Sequence, residues 1–434
     1  MFLLCSHYAI VVAMDESPPL RWLYFDLNSY FASVEQQLQP ELRGRPIAVA
    51  AVHTDSTAAI AASYEAKAFG IKTVTPIWQA KAMCRDLIVV PARHEEYVRY
   101  HHRIIAEIEM HIPVTAVCSI DEVACRLMDN ENSPAQVAAL AARIKAGVAA
   151  NVGVCLKSSI GVAPNRLLAK IASDMMKPDG LTILDAASLH DRLCGLKPGD
   201  IPGVGKNMEK RLAMKGVVDM ARILSLDARE AREVWGNVWG ERLHWLLRGA
   251  DLPERATQRR TIGHSHVLGP DRRAPDRARL VARRLLMKAA TRLRRRECRT
   301  SLMVLTVKGE DKTKWSHGQR LVAAQDSFTL LSVLERLWAR MLGEMPEHRY
   351  RQVSVTFLEL SPASEAQLAL FDAGSSVSVA TEAKRLSLSH ALDKVNGRWG
   401  RDAVTIGHDA RGATRSSGPK IAFTRIPELA EFNE

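Results

Sequence analysis

The chain has no Cys-x-x-Cys pair. Its seven cysteines are scattered, and none forms a Cys/His cluster at zinc spacing. A structural zinc module is therefore excluded, and the thiols read as reduced, which points to a cytoplasmic protein. A membrane span is also lacking. The opening "MFLLCSHYAIVVAM" is apolar, but it is too short to cross a bilayer. It lacks the positive start and small-residue cleavage site of a signal peptide. We read residues 1–13 as a non-native extension and Met14 as the start. Acid is short as well. Lys plus Arg number 60 against 48 Asp plus Glu, giving a net charge of +12 and a pI near 9.5. That balance favours a polyanionic partner.

What is present is length and localised charge. A chain of 434 residues can bury several cores, so three or more domains are expected. Residues 259–299 hold fourteen Lys/Arg and three Asp/Glu. Most of the basic excess therefore sits in one segment, suited to phosphates or an acidic surface.

Periodicity divides the chain. "RWLYFDLNSYFASVEQQL" (21–38) changes from a continuous apolar strand to a helix at Asp26, with Asn28 or Ser29 as cap. Further strands are read in "RPIAVAAV" and "KSSIGVAP". Helices are read at 97–111, 133–153 and "NRLLAKIASDMM", the last followed by the turn "KPDG". "VTAVCSIDEVACRL" (114–127) reads as an antiparallel hairpin. That pairing predicts a mixed α+β sheet, not a doubly wound one. A helical region covers 185–255. After it come a long amphipathic helix at 276–296 and strands "TSLMVLTVK" and "YRQVSVTFLEL", with a helix at 327–342 between them. The tail from Pro362 reads as looser, with "DAGSSVSVA" as a linker.

Asp26 closes one strand, and Asp121 and Glu122 stand side by side at the hairpin. Three acids on neighbouring strands raise one another's pKa unless a cation sits among them. Oxygen-only ligation suits Mg²⁺, and two such ions can activate an attacking oxygen and steady a leaving phosphate. Alternatively, the pair is a solvated turn and Asp26 caps the helix. Tyr64 and Lys67 share a helix face, and Lys177 follows a helix. These groups could hold a triphosphate or stand as surface residues.

Two elements suit DNA. In "IPGVGKNMEKRLAMKGV" (201–217), Gly203, Val204, Gly205 and Lys206 form a tight turn whose N–H groups can grip a phosphate without reading sequence. Along helix 276–296, Val281, Ala282, Leu285, Ala289 and Leu293 form the buried stripe. Arg277, Arg284, Lys288 and Arg295 lie away from it. Binding through such a face should fall steeply with salt.

These pieces, in collinear order over about residues 20–360, resemble the Y-family of translesion DNA polymerases. The matching motifs are "YFDLNSYFASVEQ", "SYEAKAFGIK", "SIDE", "SIGVAPNRLLAKIASDMMKPDG" and "IPGVGK". The resemblance implies a multidomain α+β, right-hand polymerase. Its parts would be a ferredoxin-like palm (20–29 and 93–184), small fingers (30–92), a helix–hairpin–helix thumb (185–255), an α/β little finger (256–362) and a tail (363–434). It implies two Mg²⁺ ions held by Asp26, Asp121, Glu122 and the Leu27 carbonyl. Phe31 would be the steric gate beneath the incoming sugar, and Tyr64, Lys67 and Lys177 the triphosphate contacts. Departures are Asn28 for a frequent second Asp, Lys67 for Arg, Cys118 for Tyr and Ala61 for a hydroxyl residue. Asn28 and Lys67 are similar to the catalytic subunit of polymerase V. "SYEA" and "SDMMKPDG" are more like polymerase IV.

"QLALF" resembles the pentapeptide by which bacterial polymerases dock on the sliding clamp, with Gln367, Leu368, Leu370 and Phe371 as its anchors. "SHALDKVNGRWGRDAV" (389–404) is similar to the tail of polymerase V-type and related accessory subunits. The expected activity is low-fidelity, template-directed DNA synthesis on primer-template DNA with dNTPs during the SOS response to damage. Mutagenesis accessory proteins are possible partners. The rival reading is a non-catalytic adaptor that recruits another polymerase, which the presence of all three acids disfavours. A repair nuclease or glycosylase sharing only the hairpin is disfavoured by the "SIDE" and "KPDG" segments.

Overall fold

The structure is a computed structural model. It describes residues 18–52, 54–55, 57–254, 260–345, 349–365, 379–400, 403–407 and 426. The chain divides between residues 254 and 255 into two compact units.

The first unit opens with β1 (Trp22–Leu27) and α1 (Tyr30–Leu38), then β2 (Ile47–Ala50), β3 (Ala59–Ala62), α2 (Tyr64–Ala68), α3 (Ile77–Met83) and β4 (Ile88–Pro91). There follow α4 (His94–Glu109), β5 (Ala116–Val117), β6 (Glu122–Arg126), α5 (Pro134–Gly147), β7 (Ser158–Ala163), α6 (Arg166–Met175) and β8 (Leu181–Ile183). Five helices complete it: α7 (Ala186–Cys194), α8 (Lys206–Met214), α9 (Met220–Ser225), α10 (Ala228–Trp235) and α11 (Val238–Leu247).

Two sheets organise this unit. The larger has the order β5-β6-β1-β7-β8, and a separate three-stranded sheet has the order β3-β2-β4. β1 is antiparallel to both β6 and β7. Every residue of β1 and β7 is buried, because both sheet faces are covered. Leu23, Phe25, Val123, Cys125 and Ile160 pack on one side with α4 and α5. Trp22, Tyr24, Ala124 and Ala163 pack on the other with α6 and the later helices. This explains why β1 reads as an unbroken apolar run instead of an alternating one.

Gly161 sets how closely α6 lies on β7. A Cβ there would stand 2.0 Å from the Ala169 carbonyl oxygen and 2.3 Å from the Ser173 nitrogen.

The second unit holds β9 (Ile262–Val267), α12 (Pro275–Arg295), β10 (Cys298–Gly309), β11 (Lys314–Ala324), α13 (Ser327–Glu344), β12 (Tyr350–Pro362) and α14 (Val379–Trp399). Its sheet has the order β11-β10-β12-β9. One face is apolar, with Met303, Leu305, Val307, Val353, Val355 and Phe357 under α12 and α13. β9 and β11 are absent from the sequence reading. β11 alternates exposed and half-buried residues over most of its length, so its apolar content is too low to stand out.

Among the described residues of the tail, 379–399 form a helix that the sequence reading lacks. α14 docks on its own unit through polar pins. Arg294, only 1% exposed in its side chain, donates from Nε to Asp393 Oδ2 (2.6 Å) and from Nη2 to Oδ1 (2.8 Å). The Ser327 N–H donates to the buried Ser389 hydroxyl at 3.0 Å. Arg294 lies within the buried face of α12.

Candidate active site

The end of the large sheet is built by register. Asp26 on β1 stands directly opposite Glu122 on β6. The Leu27 N–H donates to the Asp121 carbonyl at 2.9 Å, closing the turn that precedes β6. The expected antiparallel hairpin is present as β5 and β6, and it carries the adjacent carboxylates to the end of the strand that holds Asp26.

Lysines stand among these acids. Lys170 Nζ lies 2.5 Å from Asp26 Oδ2, 2.6 Å from Glu122 Oε1 and 3.2 Å from Asp174 Oδ2. Lys177 Nζ lies 2.8 Å from the same Asp26 oxygen and 2.7 Å from Asp174 Oδ1. Burial works against the charge on Lys170, but Asp26, Glu122 and Asp174 outweigh it and move its pKa above the usual lysine value. Lys177 is raised in the same way. Asp121 is pushed up to about 6, chiefly by burial, with the charges of Glu122 and Asp26 adding to it. The Ser119 hydroxyl, donating to Asp121 Oδ1 at 2.5 Å, opposes that rise.

Among the described residues, no group of three or more acidic, His or Cys side chains converges on a point where it could hold a metal ion. The three acids are neighbours, but their oxygens are turned toward other partners: Asp26 and Glu122 toward lysines, Asp121 toward Ser119. The donor chemistry nonetheless suits a hard divalent cation. It is all oxygen, and the carboxylates already gather positive charge.

The nucleotide candidates divide by position. Lys67 Nζ sits over the Tyr64 ring at 4.3 Å, confirming their shared face on α2. Burial lowers the Lys67 pKa, Lys177 lowers it further, and Asp26 opposes both. Tyr64 is raised by burial, and it too feels Lys177 and Asp26. The fold thus brings α2 within electrostatic reach of the acid cluster. Phe31 is the second residue of α1, just past the strand that carries Asp26, and is 6% exposed.

Asn28 does not cap α1. Its Nδ2 donates to Ser159 Oγ at 3.1 Å, and its Oδ1 accepts from the Asp179 N–H at 2.8 Å. Ser29 takes the N-cap position with φ of 50° and no side-chain cap bond. The amide is engaged across the sheet, so it cannot also serve the helix. Ala61 is buried in the core, and Cys118 Sγ lies 3.7 Å from an Arg166 guanidinium nitrogen.

Sequence reasoning missed Lys170 and Asp174. The available signal was their i, i+4 spacing on the polar side of α6, a helix that ends beside the acids.

The Gly203 turn lies between α7 and α8 with φ of +91°, a conformation that favours glycine. Val204 anchors it in the core. At Gly203 and Gly205 an added Cβ would meet nothing within 4 Å. Lys206 begins α8, whose N-terminus has no side-chain cap.

In the second unit, two arginines of α12 outside the expected basic face are used within the fold. Arg279 and Arg283 both pair with Glu335 on α13. Arg284 and Lys288 are half-buried and Arg295 is exposed. The sheet face away from α12 and α13 was not foreseen. Register aligns Lys308 with Lys314, and Thr306 with both Ser316 and Ser354. It is a face of hydroxyls and cations, with Arg320 paired to Glu359 at 2.7 Å. Gln367, Leu368, Leu370 and Phe371 lie outside the described residues. Among the described residues, no helix is long and apolar enough to cross a membrane.

Residues 25–174 match the impB/mucB/samB family, and residues 259–370 match the C-terminal domain of that family. DNA polymerase IV 1 of Bacillus subtilis (strain 168) is 30% identical over 392 residues, covering 88% of this chain and 92% of the relative. DNA polymerase IV of Moorella thermoacetica is 32% identical over 400 residues, covering 88% and 94%. Among solved structures, a Y-family DNA polymerase chimera of Dbh and Dpo4 aligns with a TM-score of 0.66 and 26% identity, covering 79% of this chain and 99% of that one. An insertion ternary complex of Dbh DNA polymerase aligns with a TM-score of 0.52 and 25% identity, over 78% and 98%. On these matches, over nearly the whole length of each relative, the chain belongs to the impB/mucB/samB family and to the Y-family DNA polymerases.

Proposed function

We propose that this Y-family member is a template-directed DNA polymerase acting in translesion synthesis, with its chemistry at the β1–β6 strand ends. The observation that carries the reading is the Asp26–Glu122 register with Asp121 beside it. In this reading the large sheet is the palm (20–29 and 93–184) and the three-stranded sheet belongs to the fingers (30–92). Helices α7 to α11 form a helix–hairpin–helix thumb (185–255), and the four-stranded unit is the little finger (256–362).

Asp26, Asp121, Glu122 and the Leu27 carbonyl would hold divalent cations, two Mg²⁺ by the expected chemistry. When bound, such ions stabilise the attacking oxygen and the pyrophosphate leaving group. The chain's own groups do the rest. Lys177, Lys67 and Tyr64 cluster where a triphosphate would lie and neutralise or hydrogen-bond its oxygens. Lys67 does so as a point charge, without the fork of an arginine. Phe31 supports the sugar and excludes a 2′-hydroxyl.

The DNA backbone would be gripped by the Gly203–Lys206 turn and by the Lys308/Lys314 sheet face. The Arg284, Lys288 and Arg295 side of α12 lies on the other side of the sheet in that unit, so it serves as a secondary contact. Leu368, Leu370 and Phe371, with Gln367, would dock on the sliding clamp. Accessory proteins, deployment in the SOS response and cytoplasmic location belong to the same reading. The adaptor alternative has no supporting observation, since all three acids stand at the strand ends.

Asp121→Ala tests the proposal. Primer extension should be abolished while affinity for primer-template DNA stays within about twofold, because only the charged site is altered. Retained extension overturns the assignment.

A further inference from the structure

Glu35 is a carboxylate with 0% exposure, set one helical turn after Phe31 on α1. It accepts a hydrogen bond from the Tyr97 hydroxyl at 2.7 Å. Arg93 Nε donates to both of its oxygens, at 3.0 and 3.2 Å, and Arg93 Nη2 donates as well. Gln39 Nε2 adds a fourth donor at 3.0 Å. The Tyr97 hydroxyl in turn accepts from the Arg93 N–H at 3.1 Å. At its backbone end, Tyr97 offers its carbonyl to the Tyr30 hydroxyl at 2.5 Å. Tyr97 is therefore fixed at both ends. Its ring lies flat against Phe31, with centroids 4.4 Å apart and planes 15° from parallel.

A core that needed only stability would be served as well by an apolar side chain at 35, since burying a carboxylate against a half-exposed arginine is a weak source of it. A fully bonded polar network does specify one orientation. We propose that Glu35, together with Arg93, is a positioning residue for sugar selection: it locks the Tyr97 ring against Phe31, so that Phe31 cannot tilt away from a ribose. A ring free to tilt would admit a 2′-hydroxyl that a clamped ring rejects. This inference rests on Phe31 being the gate.

The test is single-nucleotide insertion by the full chain, reading kcat/KM for a dNTP and its matching rNTP. Tyr97→Phe keeps the stacked ring, removes only the hydroxyl and leaves the Arg93–Glu35 pair in place. Glu35→Gln removes the charge. Each should lower the dNTP-to-rNTP ratio about tenfold, as small misplacements at reacting centres do, mainly by raising the ribonucleotide value. A purely structural role would depress both substrates together and leave the ratio unchanged, and that result overturns the proposal even if Glu35→Gln fails to fold. Phe31→Ala separates the two layers. If it leaves the ratio unchanged, the gate reading fails and the brace falls with it. If it collapses the ratio while Tyr97→Phe and Glu35→Gln do not, only the brace fails.

Discussion

Lys170 Nζ stands 2.5 Å from Asp26 Oδ2, and the same ammonium reaches Glu122 across the strand pair at 2.6 Å. One cation thus spans two carboxylates that register places face to face, and it offsets their mutual repulsion.

Removing that cation strips Glu122 of its lysine and leaves Asp26 with Lys177 alone. Lys170→Met should destabilise the fold by about 3–5 kcal/mol in urea titrations without divalent ions, the usual cost of breaking a buried pair. Adding Mg²⁺ should recover part of the loss, because a cation again sits between the acids. Stability equal to the parent in both conditions would contradict the arrangement.

The tail helix gives a second stability prediction. Asp393→Ala leaves the Arg294 guanidinium buried with its carboxylate partner gone. The expected cost is again about 3–5 kcal/mol, seen as earlier denaturation of the second unit. Arg294→Met with Asp393→Leu should recover much of it, since both charges are then absent.

His101 links the fold to pH. Burial holds its pKa down to about 4, while its Nδ1 lies 2.8 Å from the Ile120 carbonyl. The unfolded chain takes up a proton near pH 6.5, and the folded chain resists until about 4. The stabilisation is therefore complete above pH 6.5 and is lost as pH falls toward 4, with a ceiling of about 3 kcal/mol. Asp121, raised to about 6, contributes the opposite slope over much of that range. The comparison must therefore be parent against His101→Asn, whose loss of stability between pH 7 and 5 should be smaller.

DNA affinity distinguishes the two basic surfaces of the second unit. Lys308→Glu with Lys314→Glu should weaken primer-template binding at least tenfold and reduce the salt slope by about two. The same change at Arg284, Lys288 and Arg295 should cost less. Equal or reversed effects, read by titration at several salt concentrations, would move the DNA to the α12 side.

Legibility in the sequence followed burial and locality. β1 and β7 were readable because both faces are covered and apolar residues run without a break. The "SIDE" hairpin was readable from its flanking strands. β11 was not, since its outer face is polar and its inner face only half-buried. α14 was missed because its docking depends on Ser389 and Asp393, polar residues that look solvated until their partners, dozens of residues away, are in place. Lys170 was overlooked for a related reason. Its partners Asp26 and Glu122 lie on other elements, and only strand register shows that they share an end.

The bare α-carbon of residue 161 governs more than local packing. Any side chain there would collide with the backbone at Ala169 and Ser173 and push α6 outward. Lys170 and Asp174 ride on that helix, so the clearance at one glycine fixes how far the Lys170 ammonium stands from the carboxylates on the strands. A single added methyl at 161 would retune the electrostatics of the whole centre without touching any charged residue.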